Sequence, residues 1–307
     1  MRTGTRSTLL ALLILGLTVS VQARETTVRV GAIEGTLLIP DNVERPPVAV
    51  LIAGSGPTDR DGNGPTINPA TLKKLAQQLA LRSIASLRYD KRGSRTWDST
   101  FGSPEDFRFA HFVDDAAAFA AHLRADGRFA KLILIGHSEG ALVACLATQR
   151  LPIDGVVLLS GPSRRQGDII KEQLKPRVKA ADYERIVVAI DAIMAGQPAE
   201  AIPRLIPPVP MQPAFASAFL EDPITALRRV TMPVFIAAGA RDTQVRRIDF
   251  DELAAASTGA RALWLEKMNH VLVDVVDDAD NIAAYNQPER PLNGELVEAL
   301  AKFIRSN

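Results

Sequence analysis

The chain has 307 residues and a formal net charge of +1. A charge this close to zero gives no electrostatic reason to expect nucleic acid or an anionic membrane as a partner. Hydrophobic residues make up 47% of the chain and charged residues 23%, which is the composition of an ordinary globular protein. A chain of this length can bury one large core and has room for an insertion.

The first 23 residues have the pattern of a secretory signal peptide. Arg2 and Arg6 precede an apolar run from Leu9 to Val19, which ends in small and polar residues before Ala23. This run is too short for a membrane-spanning helix, which needs about 20 residues. We expect cleavage after Ala23, export to the periplasm or the medium, and no stable membrane insertion afterwards. An uncleaved membrane anchor is the alternative interpretation.

The predicted strands begin directly after this segment. Residues 26–30 and 33–39 alternate between apolar and polar side chains on either side of Gly31, which predicts an antiparallel hairpin at a sheet edge. The later predicted strands are short apolar runs at residues 48–53, 83–89, 131–135, 155–160, 233–238 and 261–266.

Helices are predicted between these strands. The first is capped by Asn68, with Pro69 at its first position. The others have apolar residues at helical spacing and cover residues 107–125, 139–149, 249–256 and 295–304. The alternation predicts an α/β fold in which a mostly parallel sheet is covered by helices on both faces.

Regular alternation stops between the strands at 155–160 and 233–238. A gap of about 70 residues is too long for an ordinary loop, so we interpret residues 163–231 as an insertion segment. We expect it to form a helical cap over the carboxyl edge of the sheet, between core segments 24–162 and 232–307. Its predicted helices are at residues 169–174, 183–194 and 214–220. Five of its apolar residues could line an acyl pocket or pack the cap onto itself: Met194, Ile206, Met211, Phe215 and Phe219.

The strongest local motif is Gly-x-Ser-x-Gly at residues 136–140, with Ser138 at its centre. It lies between a predicted buried strand and a predicted helix. A serine lifted on a sharp strand-to-helix turn needs small neighbours two residues away on each side, because the backbone there is crowded and strained. We therefore predict that Ser138 is a nucleophile. A plain tight turn is the alternative interpretation.

A serine hydroxyl needs a base within hydrogen-bond reach to act as a nucleophile. After Ser138 the sequence contains one histidine, His270, which follows the last predicted strand. The base in turn needs an acid, and Asp242 follows the preceding strand by a short turn. Both would emerge at the carboxyl ends of strands, where open α/β sheets build their sites. We expect the nearby acids Asp249 and Asp251 at a helix start, in solvent.

These residues together resemble the bacterial α/β-hydrolases of the serine esterase type, over nearly all of the chain after residue 23. The chain order Ser138, Asp242, His270 is that of the family. The resemblance rests on residues 51–61, residues 88–93, residues 136–140, and the segments around Asp242 and His270.

The resemblance implies an oxyanion hole made by the backbone N–H groups of Ser55 and Glu139. Acyl transfer develops negative charge on a carbonyl oxygen, and losing one fixed donor to that oxygen typically costs about 2.7–4 kcal/mol of barrier. Many relatives have a histidine where this chain has Ala53. The amide donor is unaffected by this difference, but a hydrogen bond from that histidine is absent.

The loop at residues 59–64 begins like a calcium-binding loop. The position of the final glutamate in that pattern is Ala70, and no helix precedes the loop, so we reject a metal site. We expect Asp59, Asp61 and Arg92 to form an ion-pair network that stiffens the loops beside the site.

The sequence therefore predicts an exported serine hydrolase that cleaves carboxylic esters through an acyl-enzyme. The predicted partner is a small-molecule ester, and no cofactor, metal or nucleic acid is implied. The alternatives are an exported serine aminopeptidase or thioesterase of the same fold, and an inactive α/β-hydrolase that serves as a binding module. An aminopeptidase would require a cluster of carboxylates to bind the amine of its substrate.

We predict that the signal peptide is removed on export. N-terminal sequencing of protein recovered from the periplasm or the medium should begin near Arg24. Recovery of the full-length chain from the cytosol would contradict this prediction.

Overall fold

The computed structural model of the chain describes residues 22–94, 101–203 and 205–307. Only Gln22 and Ala23 of the predicted signal peptide belong to these residues. Its basic start and apolar run, Arg2 to Val19, lie outside the described residues.

Within the described residues, one sheet of eight strands forms the centre of the molecule. The strands follow one another across it in the order β1-β2-β4-β3-β5-β6-β7-β8. β1, β2 and β4 pair antiparallel, and all pairs from β4 to β8 are parallel. This topology confirms the predicted α/β class with its hairpin at the edge. The strands are β1 (Ala23–Val30), β2 (Ile33–Pro40), β3 (Val48–Ile52), β4 (Ala85–Tyr89), β5 (Leu132–His137), β6 (Gly155–Leu159), β7 (Val234–Gly239) and β8 (Arg261–Leu265).

Helices cover both faces of the sheet. None of those in the described ranges is long and apolar enough to cross a membrane. The helices are α1 (Thr71–Ala80), α2 (Ala110–Asp126), α3 (Glu139–Ala147), α4 (Gln166–Leu174), α5 (Ala180–Met194), α6 (Gln212–Phe219), α7 (Pro223–Arg228), α8 (Arg247–Ala256), α9 (Asp278–Ala284) and α10 (Gly294–Ser306).

The central strands supply side chains to two separate cores. In β3, Val48 and Val50 pack into the core under α2 and α3, whereas Ala49 and Leu51 pack into the core under α1 and α10. Successive side chains of a strand point to opposite faces. A continuous apolar run is therefore required for a strand buried on both sides, as the sequence indicated.

The insertion segment contains α4 to α7. Side chains of α5 and α6 form a small core of their own, in which Phe219 is only 2% exposed and packs with Ile186 and Ile190. The last helix, α7, was not predicted, and it packs into the main core through Ala226 and Leu227. The division of the chain into core and cap domains stays a prediction.

The predicted cap of the first helix is wrong. The helix α1 begins at Thr71, and the exposed Asn68 and the buried Pro69 both precede it in a loop. The Asp61 carbonyl accepts the backbone N–H groups of Leu72 and Lys73, at 3.0 and 3.2 Å. The loop before the helix thus satisfies donors that a cap side chain would otherwise have to take.

The predicted network of Asp59, Asp61 and Arg92 is also wrong. Arg92 binds Asp115 through two hydrogen bonds of 2.6 Å. Asp61 accepts from Arg88 at 2.9 Å, and Asp59 accepts two backbone N–H groups of its own loop. Each acid lies at the predicted loop, but the partners come from other elements that local sequence does not reveal.

Asp249 lies in the first turn of α8, as predicted, but it is completely buried and not in solvent. Its oxygens accept two hydrogen bonds from Arg164, at 2.9 and 2.8 Å, and one from the Arg246 backbone at 3.0 Å. Burial opposes its ionisation, but Arg164 and the backbone donors outweigh burial and hold the pKa of Asp249 below its ordinary value of 3.8. The carboxylate ties the start of α8 to the segment after β6.

We predict that Asp249→Asn lowers the free energy of unfolding by about 3 kcal/mol, because it breaks a buried ion pair from one side. The matched control is Asp251→Asn. Asp251 is half-exposed and pairs with Arg247 one helical turn away, so its loss should cost at most about 0.5 kcal/mol. Denaturant unfolding measures both.

The effect of Asp249→Asn should depend on pH. Since the folded pKa lies below 3.8, the charge contributes its full stability above about pH 4 and loses it as the pH falls. The difference between wild type and variant should therefore shrink in acid. Equal costs for the two variants at pH 7 would contradict the assigned role of Asp249.

Candidate active site

Ser138 sits on a strained turn between β5 and α3. Its backbone angles are φ 55° and ψ −124°, a region that residues other than glycine rarely adopt. A Cβ atom at Gly136 would collide with the Gly140 carbonyl, and one at Gly140 would collide with the Ile52 carbonyl. Gly136 is therefore required by the tightness of the turn itself, and Gly140 by the close approach of the turn to the end of β3.

His270 and Asp242 form a buried hydrogen-bonded pair. His270 Nδ1 lies 2.7 Å from Asp242 Oδ2, and the two residues are 5% and 7% exposed. The other carboxylate oxygen, Oδ1, accepts the backbone N–H groups of Gln244 and Val245, at 2.8 and 2.9 Å. Because the carboxylate can only accept, Nδ1 carries the proton, and Nε2 is left as the basic nitrogen.

Burial raises the pKa of the Asp242 carboxyl, but the neighbouring His270 and two backbone amides lower it by more. The net result is a pKa below the ordinary value of 3.8. Asp242 therefore stays ionised at neutral pH and can stabilise a positive charge on His270.

Ser138 and His270 line the same cavity, which has a volume of about 130 Å³. The ring of His270 is hydrogen-bonded to Asp242. In the described part of the chain, no hydrogen bond joins this ring to Ser138 Oγ. Such contacts are often long before a substrate binds. The structure thus brings the predicted nucleophile, base and acid to one edge of the sheet.

A network of buried amides holds the loop of His270. Asn269 is fully buried, and its oxygen accepts two backbone N–H groups of its own loop. Its Nδ2 donates to Asn281 at 2.9 Å, and Asn281 donates to the Arg241 carbonyl at 2.8 Å. The loop of the base is therefore fixed to the loop of the acid through α9, a helix that the sequence analysis did not predict.

His137, a residue that the sequence analysis did not single out, also contacts the site. Its Nε2 donates to the His270 carbonyl at 2.8 Å. Burial and the nearby His270 lower the pKa of His137 to about 4, so the ring is neutral at neutral pH. Its position next to Ser138 was visible in the sequence, but its contact with a residue 133 positions away was not.

The backbone N–H groups of Ser55 and Glu139 are available as donors. Neither donates a hydrogen bond to another residue in the described part of the chain. The loop after β3 passes directly against the nucleophile, since a Cβ atom on Gly54 would lie 3.0 Å from the Ser138 Cβ. Ser55, Ser138 and Glu139 line a second cavity, of about 210 Å³. The arrangement can stabilise an oxyanion beside Ser138.

The second cavity is bounded by different residues of the insertion segment from those singled out in the sequence. Its apolar wall consists of Phe109, Leu142, Ile169, Ile170 and Val245. Phe219 is instead buried in the small core of the insertion segment, and Phe215 packs edge-on against it. Among the described residues, no cluster of His, Cys, Asp and Glu is arranged to hold a metal ion.

Comparison with known proteins supports the assignment of the fold. A family model described as "Serine aminopeptidase, S33" matches residues 69–190. Esterase EstD of Thermotoga maritima is 27% identical over 262 residues, which are 81% of this chain. The chain spans about 60% of the length of that relative.

Solved structures of esterases superpose on nearly the whole chain. Est1E from Butyrivibrio proteoclasticus, determined with bound ferulic acid, has a TM-score of 0.59 at 16% identity and covers 92% of this chain and 100% of its own. The Pyrococcus furiosus esterase Pf2001 has a TM-score of 0.57 at 14% identity, with coverages of 94% and 91%. The chain therefore has the α/β-hydrolase fold, as the sequence motifs predicted.

Proposed function

We propose that the protein is an exported serine hydrolase that cleaves carboxylic esters through an acyl-enzyme on Ser138. The observation that carries this proposal is the juxtaposition, at two cavities that share Ser138, of a strained serine, a histidine bonded to a buried carboxylate, and two unpaired amides. The likeness to proteins named as esterases agrees with it.

The mechanism follows from the positions of these groups. His270 Nε2 takes the hydroxyl proton while Ser138 Oγ bonds to the ester carbonyl carbon, and Asp242 stabilises the imidazolium that forms. The amides of Ser55 and Glu139 donate to the oxygen that gains negative charge. His270 then gives its proton to the leaving alcohol, and water activated by the same imidazole releases the acid.

The two cavities suggest where the acyl and alcohol parts of an ester bind. Both are lined by Ser55, Ser138 and Gln244, but only the smaller one is lined by His270. Since His270 must protonate the leaving alcohol, the alcohol belongs in the smaller cavity and the acyl group in the larger one. A cavity of about 210 Å³ with an apolar wall suits a short or medium acyl chain.

The charges around the cavities favour an ester over an aminopeptidase substrate. The acid in their walls is Glu139, which is already bound by Lys91 at 2.6 Å and by Gln166 at 2.9 Å. Two acids of the insertion segment are also paired, Glu172 with Arg164 and Asp191 with Lys171. A substrate ammonium would therefore find no unpaired carboxylate in these walls.

Export of the enzyme is part of the proposal and rests on the first 23 residues of the sequence. A thioester would fit the same mechanism, and the choice between ester and thioester depends on the leaving group. A binding module without activity is disfavoured, because such a module would not need two unpaired amides beside a histidine that is bonded to a buried, ionised Asp242.

Turnover tests the proposed triad. Ser138→Ala should lower kcat on short nitrophenyl esters by at least about 10⁴-fold, and Asp242→Asn by a similar factor, because the base loses its correct tautomer. Asp251→Asn is the control and should keep wild-type turnover. Aminoacyl anilides should be cleaved far more slowly than esters. Near-normal turnover in Asp242→Asn, or a preference for anilides, would overturn the proposal.

A substitution in the wall of the larger cavity tests whether the acyl group binds there. Ile169→Phe places a larger side chain in the wall of the larger cavity and reduces its volume, so it should shift the preferred acyl chain by about two to four carbons toward shorter chains. Val188→Phe is the matched control, since Val188 is 69% exposed on α5 of the same insertion segment, and it should leave the profile unchanged. If Ile169→Phe instead changes the preference for the alcohol part of the ester, the two cavities are assigned in reverse.

A further inference from the structure

A buried ion pair lies beside the two proposed oxyanion donors. Lys91, in the loop after β4, approaches Glu139 with a distance of 2.6 Å from Nζ to Oε1, and the side chains are 7% and 10% exposed. The ammonium also lies 4.1 Å from the centre of the Phe112 ring. Burying two charges is costly, and the catalytic steps described above make no use of either charge.

The same ammonium donates to the Gly54 carbonyl at 2.9 Å. This carbonyl and the Ser55 N–H belong to one peptide group, whose C–N bond has partial double-bond character. A cation bound to the oxygen draws electron density from the nitrogen, so the N–H on the far side of the group becomes a stronger donor. Hydrogen bonds in series strengthen one another in this way.

Lys91 has a second electrostatic effect. The carboxylate of Glu139 belongs to the residue whose backbone N–H is the other proposed donor. If the Glu139 carboxylate were unpaired, its negative charge would oppose the formation of an oxyanion beside it, because the dielectric constant in a buried site is low. The ion pair with Lys91 removes that opposition.

We propose that Lys91 is a positioning residue that polarises the Gly54–Ser55 peptide and neutralises Glu139, so that the oxyanion is stabilised. The inference rests on the proposed function, because it assigns Lys91 a role in the same acyl transfer. It differs from a purely structural role, in which the ion pair would only hold the loop after β4 against α3.

The double variant Lys91→Met/Glu139→Gln separates the two roles. It removes both charges, so it leaves no unpaired charge buried, and such replacements are often neutral for stability. We expect its melting temperature to stay near that of the wild type while kcat falls about 10- to 100-fold, somewhat less than the effect of losing a whole oxyanion donor. KM should change by less than about threefold, because the contact acts only in the transition state.

The matched control removes a neighbouring ion pair from the same loop. Arg92 binds Asp115 through two hydrogen bonds of 2.6 Å and is not bonded to the Gly54 carbonyl. The variant Arg92→Met/Asp115→Asn should keep kcat within about threefold of the wild type. An equal loss of kcat in both double variants would overturn the inference, since the cause would then be a general disturbance of the loop.

Two further measurements complete the test. A trifluoromethyl ketone, which forms an oxyanion on the nucleophilic serine, should bind Lys91→Met/Glu139→Gln about 10- to 100-fold more weakly than the wild type. If that variant does not fold, Lys91→Gln/Glu139→Gln retains a shorter neutral donor and leaves no unpaired charge, so it should show a smaller loss of kcat, about three- to tenfold, at unchanged KM. Wild-type kcat and inhibitor affinity in these variants would overturn the role of Lys91.

Labelling with a fluorophosphonate separates this failure from that of the proposed function. Wild type labelled at Ser138, together with a double variant of unchanged kcat, would overturn only the role of Lys91. Wild type that is neither labelled at Ser138 nor active on esters would overturn the proposed function, and the inference with it.

Discussion

The turn that carries Ser138 is so tight that a side chain at Gly136 would collide with the Gly140 carbonyl, and it lies so close to the end of β3 that a side chain at Gly140 would collide with the Ile52 carbonyl. The remaining features of the site depend on this approach. It forces Ser138 into a strained backbone conformation and brings the loop after β3 against its side chain. It also leaves the amides of Ser55 and Glu139 facing the cavities without a protein acceptor in the described residues. The strain is maintained because the sheet on both sides is fully buried.

Two buried acid–base pairs flank this turn. On one side Asp242 holds His270, and on the other Glu139 holds Lys91. The reaction that we propose creates a positive charge on the imidazole and a negative charge on the substrate oxygen. The first pair supplies a negative charge where the positive one forms. In the second pair, the Lys91 ammonium polarises the Gly54–Ser55 peptide and offsets the charge of Glu139. Fixed charges of this kind need no reorganisation during the reaction, which is why they are effective in a buried site.

Much of the fold could be predicted because its signals are local. The apolar run of β3 and the Gly-x-Ser-x-Gly motif each identify one element by themselves. The sequence could predict that Ser138, Asp242 and His270 lie close together, because the carboxyl ends of parallel strands share one edge of a sheet. The structure places all three there, although the catalytic roles stay a prediction.

The features that sequence reasoning missed all depend on contacts between distant parts of the chain. The donors at the start of α1 bind the Asp61 carbonyl and not Asn68. Asp249 is buried because Arg164, 85 positions away, binds it. Lys91 approaches Glu139 across 48 positions. In each case the residue types were visible, but their partners are set by how the elements pack.

The most direct test of the account is intact-mass spectrometry of the enzyme mixed with an ester whose acyl group is released slowly. Hydrolysis through Ser138 predicts a transient mass increase equal to the acyl group, located by digestion on the peptide that contains Ser138 and absent in Ser138→Ala. Ester turnover without such an adduct on that peptide, or with an adduct on another residue, would contradict the account.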